Sequence, residues 1–224
     1  MKTKLIVALD VDSSKRAKEI VKILYPKVKI FKVGLQLFTA QGPLVVNWLV
    51  KKGIKVFLDL KLFDIPHTMV ETAKLICKMN IFMFTVHIQA GKDALIKLKK
   101  IVFQEAKKLK IKRPLIFGVT LLTSQRKNGT SKLIRLVKVA KEVGLDGIVI
   151  SVKDLDFLPL KLRKNLLIVS PGIRMEKIEA DDQKRTATPK EARDKGIDYI
   201  VVGRPILEAK DPLKKLKCIL RELR

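Results

Sequence analysis

The chain has 224 residues, 47% of them hydrophobic, enough to bury a large core in a single domain over residues 1–224. No apolar run approaches the ~20 residues of a membrane span. The stretch Leu5–Leu9 is too short for a secretory leader and is ended by Asp10 and Asp12, so a cytoplasmic protein with no membrane partner is expected. The formal charge of +26 would suit a nucleic-acid binder, but 37 of the 48 basic residues are lysine, spread along the chain, and aromatics are only 5%. Nucleic-acid readers draw on arginine and stacking rings. The excess therefore reads as solvated helix faces, with no nucleic-acid partner, while still favouring anionic substrates.

In chain order, a first strand covers Leu5–Asp10 and a first helix Ser14–Leu24. Strand two, Val28–Val33, precedes a helix over Pro43–Lys52, and strand three, Lys55–Leu60, precedes a helix over Thr68–Lys78. Strand four, Phe82–Ile88, a helix over Lys92–Leu109 and strand five, Leu115–Leu121, come next. A helix over Ser131–Val143 leads to strand six, Gly147–Ser151, and one over Lys153–Lys161 to strand seven, Leu166–Ser170. A helix over Pro189–Lys195, strand eight, Tyr199–Gly203, and a helix over about Pro212–Leu223 complete the chain. Gly53, Gly144 and Gly196 each stand between a helix and the next strand, where a left-handed cap is expected. Cys77 and Cys218 lack metal-ligand spacing and read as small buried hydrophobes of a reducing compartment.

Eight short β-branched strands alternating with amphipathic helices predict an α/β fold, a (β/α)8 TIM barrel. A doubly wound open sheet is the alternative. It would carry a glycine-rich first turn, whereas strand one ends Leu9-Asp-Val-Asp12, and no G-x-G-x-x-G or phosphate-loop motif occurs. In a barrel, functional groups belong at the C-terminal ends of strands. The sequence places Asp10, Lys32, Asp59-x-Lys61, His87, Thr120, Thr123, Ser170-Pro-Gly-Ile-Arg174 and Gly203-Arg204 there. The densest group is Asp59-Leu-Lys61-Leu-Phe-Asp64-Ile-Pro66, two acids flanking an amine. A salt-bridged strand end would also gather such charges; the remainder of the rim favours a preorganised cluster.

Asp59-x-Lys61-x-x-Asp64-Ile-Pro resembles the signature of the orotidine 5′-phosphate decarboxylase family. The resemblance extends through Ala8-Leu-Asp10, Phe31-Lys32-Val-Gly34, Val119-Thr-Leu-Leu-Thr-Ser124, Ser170-Pro-Gly-Ile-Arg174, Asp181-Asp-Gln-Lys-Arg185 and Val202-Gly-Arg-Pro-Ile206, and is strongest to the bacterial branch. It implies cofactor-free, metal-free conversion of orotidine 5′-phosphate to UMP. Lys61 would stabilise a carbanion at carbon 6 and then protonate it. Asp59 would lie by the departing carboxylate, and Lys32 and Asp64 would complete an alternating Lys-Asp-Lys-Asp network. The resemblance also implies a homodimer in which Asp64 and Thr68 reach the neighbouring subunit's site. Asp10 and Lys32 would hold the ribose hydroxyls, and Thr123 the pyrimidine edge. Gln183, Gly203 and Arg204 would bind the phosphate, with Gln183 on a closing loop, Met175–Thr186, and Pro171 and Arg174 would be further substrate-binding residues.

His67 stands where the family commonly has Asn, and a capping or solvent-facing role is expected. His87 matches a family His, but Gln89-Ala-Gly91 departs from the smaller residues usual after it; an indirect role beside the site is expected. The sister enzymes of the superfamily, metal-dependent keto-gulonate-phosphate decarboxylases and hexulose-phosphate synthases, share Asp-x-Lys-x-x-Asp. They resemble one another in a strand-two Glu that binds magnesium, and here that strand carries Lys32.

Overall fold

The computed structural model describes residues 3–121, 129–175 and 186–224. Eight parallel strands close in sequence order into a barrel, the last pairing with the first. They are β1 (Lys4–Ala8), β2 (Ile30–Gly34), β3 (Lys55–Leu62), β4 (Met83–His87), β5 (Leu115–Val119), β6 (Gly147–Val149), β7 (Leu167–Ser170) and β8 (Tyr199–Val202). Outside lie α1 (Ser14–Leu24), α2 (Leu35–Gln41), α3 (Pro43–Lys51), α4 (Pro66–Lys78), α5 (Lys92–Lys108), α6 (Thr130–Val143), α7 (Leu160–Arg163), α8 (Pro189–Asp194), α9 (Arg204–Leu207) and α10 (Pro212–Glu222). No helix among the described residues is long and apolar enough to cross a membrane.

Strand alternation sorts the side chains into two cores. Leu5, Val7, Val56 and Leu58 face outward and join the large cluster beneath the helices. Ile6, Ala8, Ile30, Phe57, Met83, Phe117, Val169, Tyr199 and Val201 form a second cluster inside the barrel. Phe117 stands edge-on to Tyr199, centroids 6.2 Å apart, and 6.4 Å from Phe57. The same alternation, carried two residues further along each strand, decides what lies above this plug: Asp10 beyond Ala8, Lys32 beyond Ile30, Asp59 beyond Phe57, Thr85 beyond Met83.

The predicted alternation holds, and Gly53, Gly144 and Gly196 take φ of 73°, 69° and 70° as expected of left-handed caps. The expected helix over Lys153–Lys161 is corrected. A 3-10 turn over Asp154–Phe157 is followed by extended Leu158 (φ −100°, ψ 121°), and α7 begins only after Pro159. A proline lacks the N–H and pushes the preceding residue out of the helical region. Two helices were not anticipated. α2 runs directly from β2 without a side-chain cap and is stopped at Gly42, φ 59°; α9 has four residues. Helix α4 starts at Pro66, two residues before the expected Thr68, with proline at the first turn. Cys77 is buried, which pushes its thiol up to about 11, but Cys218 is only partly buried. As expected of solvated faces, Lys92, Lys97, Lys100, Lys107 and Lys108 of α5 are exposed.

Barrel closure is tightest at Gly147. A Cβ there would collide with the Leu167 carbonyl oxygen and the Phe117 ring, neither of which is a flexible chain end. Gly147→Ala is expected to destabilise the fold by about 2–3 kcal/mol through overpacking, measured as a shift in the urea unfolding midpoint.

Candidate active site

The C-terminal mouth of the barrel holds a cavity of about 630 Å³. Its floor is the apolar plug, through Ala8, Phe57, Val169 and Val201, and its wall includes Asp10, Lys32, Asp59 and Lys61. The charged wall alternates in sign. Lys32 Nζ donates to Asp10 Oδ1 at 2.9 Å and lies 3.7 Å from Asp59 Oδ2. Lys61 Nζ donates to the same Asp59 oxygen at 3.0 Å. Asp59 is buried at 9% exposure, so its carboxylate has given up water for these partners.

Thr85 completes the arrangement. Its hydroxyl donates to Asp59 Oδ1 at 2.9 Å and accepts from the Lys61 backbone N–H at 2.9 Å. That second bond fixes an unusual piece of chain. β2 pairing ends at Gly34 opposite Asp59, and the register with β4 shifts between Leu58 and Leu62. Within this bulge Lys61 adopts φ 53°. A non-glycine residue there costs about 1–2 kcal/mol, and bulges of this kind re-aim side chains. Gly34 leaves the room: a Cβ on it would stand 2.9 Å from Lys32 Nζ and 3.3 Å from Asp10 Oδ1.

Burial alone would raise the Asp59 pKa. The charges of Lys32 and Lys61, with the hydrogen bonds from Lys61 and Thr85, outweigh it and hold the carboxyl below its ordinary value. His87 is pushed the other way from a charged imidazole, first by burial and then by Lys132 and Lys61. It stacks on Phe63 with centroids 5.1 Å apart, and its Nδ1 accepts from the Gln89 N–H at 3.4 Å. His87 is thus a prop beside the bulge with its charged form disfavoured, while His67 is exposed on the first turn of α4.

The structure brings together Asp10, Lys32, Asp59, Lys61, Pro171, Arg174, Gly203 and Arg204 around one cavity. Asp64 and Thr68 do not line it. Both are exposed, and the Asp64 carboxylate accepts from the Ile65 N–H at 2.7 Å. Asp64 therefore does not complete the charge alternation within its own chain. Thr123 and Gln183 lie outside the described residues. Sequence reasoning missed Thr85, whose signal was its inward register two residues after Met83. It also missed Gln36, Ser151 and Glu208 on the cavity wall.

The sequence model of the Orotidine 5′-phosphate decarboxylase / HUMPS family matches residues 3–219. The chain belongs to this family. A protein of Dictyoglomus turgidum named orotidine 5′-phosphate decarboxylase is 42% identical, the match covering 98% of this chain and 94% of that one. One of Coxiella burnetii with the same name is 36% identical over 99% and 97%. Among solved structures, the orotidine 5′-phosphate decarboxylase of Lactobacillus acidophilus superimposes with a TM-score of 0.86 at 33% identity, covering 99% of both chains. The closed eight-stranded barrel is thus shared with this solved relative.

Two outcomes test the charge arrangement. Thr85→Val keeps the shape but strips Asp59 Oδ1 and the Lys61 N–H of a partner, and is expected to cost about 1–3 kcal/mol of stability, read by chemical denaturation. Because the folded-state pKa of Asp59 is depressed, its ionised pairing stabilises at neutral pH. That contribution fades as pH falls from the ordinary aspartate range through the depressed value. The stability gap between wild type and Asp59→Asn should therefore narrow on acidification; a gap constant with pH would contradict this reading.

Proposed function

We propose that this chain is a carboxy-lyase that converts orotidine 5′-phosphate to UMP and CO2 without a cofactor, the last step of de novo UMP synthesis. The observation that carries the reading is the Lys61 ammonium, 3.0 Å from buried Asp59 on the wall of a cavity large enough for a nucleotide. Decarboxylation at carbon 6 breaks the bond to the carboxylate and leaves its electron pair on the ring carbon. A fixed cation beside that carbon stabilises the growing charge. Lys61 then gives a proton to carbon 6, forming UMP, and recovers one from water. Asp59 holds Lys61 in place, and its charge faces the substrate carboxylate. Lys32 and Asp10 are the groups placed to take the ribose hydroxyls.

The phosphate is assigned to the mouths of β7 and β8, where Pro171, Arg174, Gly203 and Arg204 line the cavity. Arg204 opens α9, and a guanidinium can take phosphate through two parallel bonds. Thr123 at the pyrimidine edge and Gln183 on the phosphate complete the proposed set. Binding energy gained at the remote phosphate then serves the reacting carbon.

A homodimer with shared sites belongs to the same proposal. Its support is the chain after β3. Phe63 and Ile65, 61% and 64% exposed, flank an Asp64 that does not line its own cavity. In a dimer their burial would carry Asp64 and Thr68 into the partner's site. The metal-dependent sister chemistry is the less favoured reading. The cation between Asp10 and Asp59 is the chain's own Lys32 ammonium, at 2.9 and 3.7 Å.

Lys61→Ala is expected to lower kcat for orotidine 5′-phosphate by about 10³-fold or more while the folded dimer persists; substantial residual turnover would sink the proton-donor role. Mixing inactive Lys61→Ala with inactive Asp64→Ala subunits is expected to restore part of the activity. A hybrid holds one site with both residues intact; no recovery on subunit exchange would place Asp64 elsewhere.

A further inference from the structure

The opposite mouth of the barrel carries charge that the reaction does not use. Lys4 opens β1, Lys29 precedes β2, Lys55 opens β3 and Lys112 lies before β5, with Lys27 on the approach to β2. These lysines border two adjoining hollows of about 410 and 380 Å³, which share Lys4, Lys55, Phe82 and Tyr199. Neither hollow is lined by a carboxylate. The acids of this face are engaged elsewhere. Asp146 accepts from Arg113 Nη1 and Nη2 at 2.8 and 2.6 Å, and Asp198 Oδ2 accepts from the Ile168 N–H at 2.8 Å. Among the described residues, none of the five lysine ammoniums is paired with a carboxylate.

Two of these ammoniums are held in place. Lys4 Nζ lies 5.6 Å from the centroid of the Tyr199 ring, and Lys55 Nζ 5.1 Å from that of Phe82. The two rings meet edge-on, centroids 6.3 Å apart, and Tyr199 is 5% exposed. The rings thus serve as cation seats, and Tyr199 is too deeply buried to stack on a base. Like charges gathered around a concave surface repel one another, and a bound polyanion relieves that repulsion. Each hollow is the size of a small-molecule pocket rather than of a flat nucleic-acid track. The apolar plug of Ile30, Phe57, Met83 and Phe117 separates this mouth from the active-site cavity.

We propose that the N-terminal mouth of the barrel is a second anion site that takes a compact oligophosphate, held by the ammoniums of Lys4, Lys29, Lys55 and Lys112. The test is calorimetric titration with inorganic tripolyphosphate at low ionic strength. Wild type should bind, more weakly as salt is added. Lys4→Gln/Lys55→Gln and, separately, Lys29→Gln/Lys112→Gln should weaken binding by about tenfold or more, as loss of two charge-assisted contacts implies. Arg204→Gln, at the other mouth, should remove only binding at the active-site phosphate position and leave the lysine-dependent binding in place. Acetylation footprinting of the wild-type protein supplies a reading that needs no variant: tripolyphosphate should protect these four lysines. Absence of binding, binding lost only in Arg204→Gln, or unprotected lysines would overturn the site. So would preferential capture of a single-stranded oligonucleotide by the same lysines, which would reassign the face to nucleic acid.

Discussion

A carboxylate taken out of water must be matched by cations and donors or it takes up a proton. Asp59 is matched three times: by Lys61 at 3.0 Å, by Lys32 at 3.7 Å and by the Thr85 hydroxyl at 2.9 Å, while Lys32 also serves Asp10 at 2.9 Å. Much else at the mouth follows from keeping that set intact. A side chain on Gly34 would crowd the Lys32 ammonium, and Lys61, in a left-handed backbone, donates its N–H to Thr85. Breaking such a buried pair by removing one partner is more costly than never having built it. The cluster is therefore held by its own pairing, and a preorganised charge pattern is what electrostatic catalysis requires.

The barrel supplies this pattern through a simple regularity. On β1 to β4, inward-facing residues two apart climb from apolar plug to polar rim, so Ile30 is followed by Lys32 and Phe57 by Asp59. The plug gives the cavity an apolar floor, and a low-dielectric surface strengthens the interactions beside it. The helices contribute little chemistry; α2 and α9 set the approach of Gln36 and Arg204 to the cavity, and the rest cover the outer faces of the strands.

This same regularity explains what could be read in advance. Asp10, Lys32, Asp59 and Lys61 were legible because charged residues interrupt β-branched runs at the strand ends, and the family motif fixed their order. Thr85 was not, since an uncharged hydroxyl in mid-strand looks like any β-former until its register is known. The bulge at Lys61 was equally hidden, because Asp59-Leu-Lys61 alternates as a regular strand would. The helix over Lys153–Lys161 failed for a local reason visible in hindsight: Pro159 interrupts an otherwise amphipathic stretch. Asp64 was grouped with the cluster by its spacing, yet its side chain turns to the Ile65 amide and does not line the cavity.

The central claim is that this buried charge cluster, with no metal, drives loss of CO2 from a pyrimidine nucleotide. It is tested most directly by mixing the purified protein with orotidine 5′-phosphate in excess chelator and following the ultraviolet absorbance. Rapid conversion to UMP, insensitive to the chelator, is the predicted result. A folded protein that leaves orotidine 5′-phosphate intact, or that turns over only when magnesium is restored, would contradict the account.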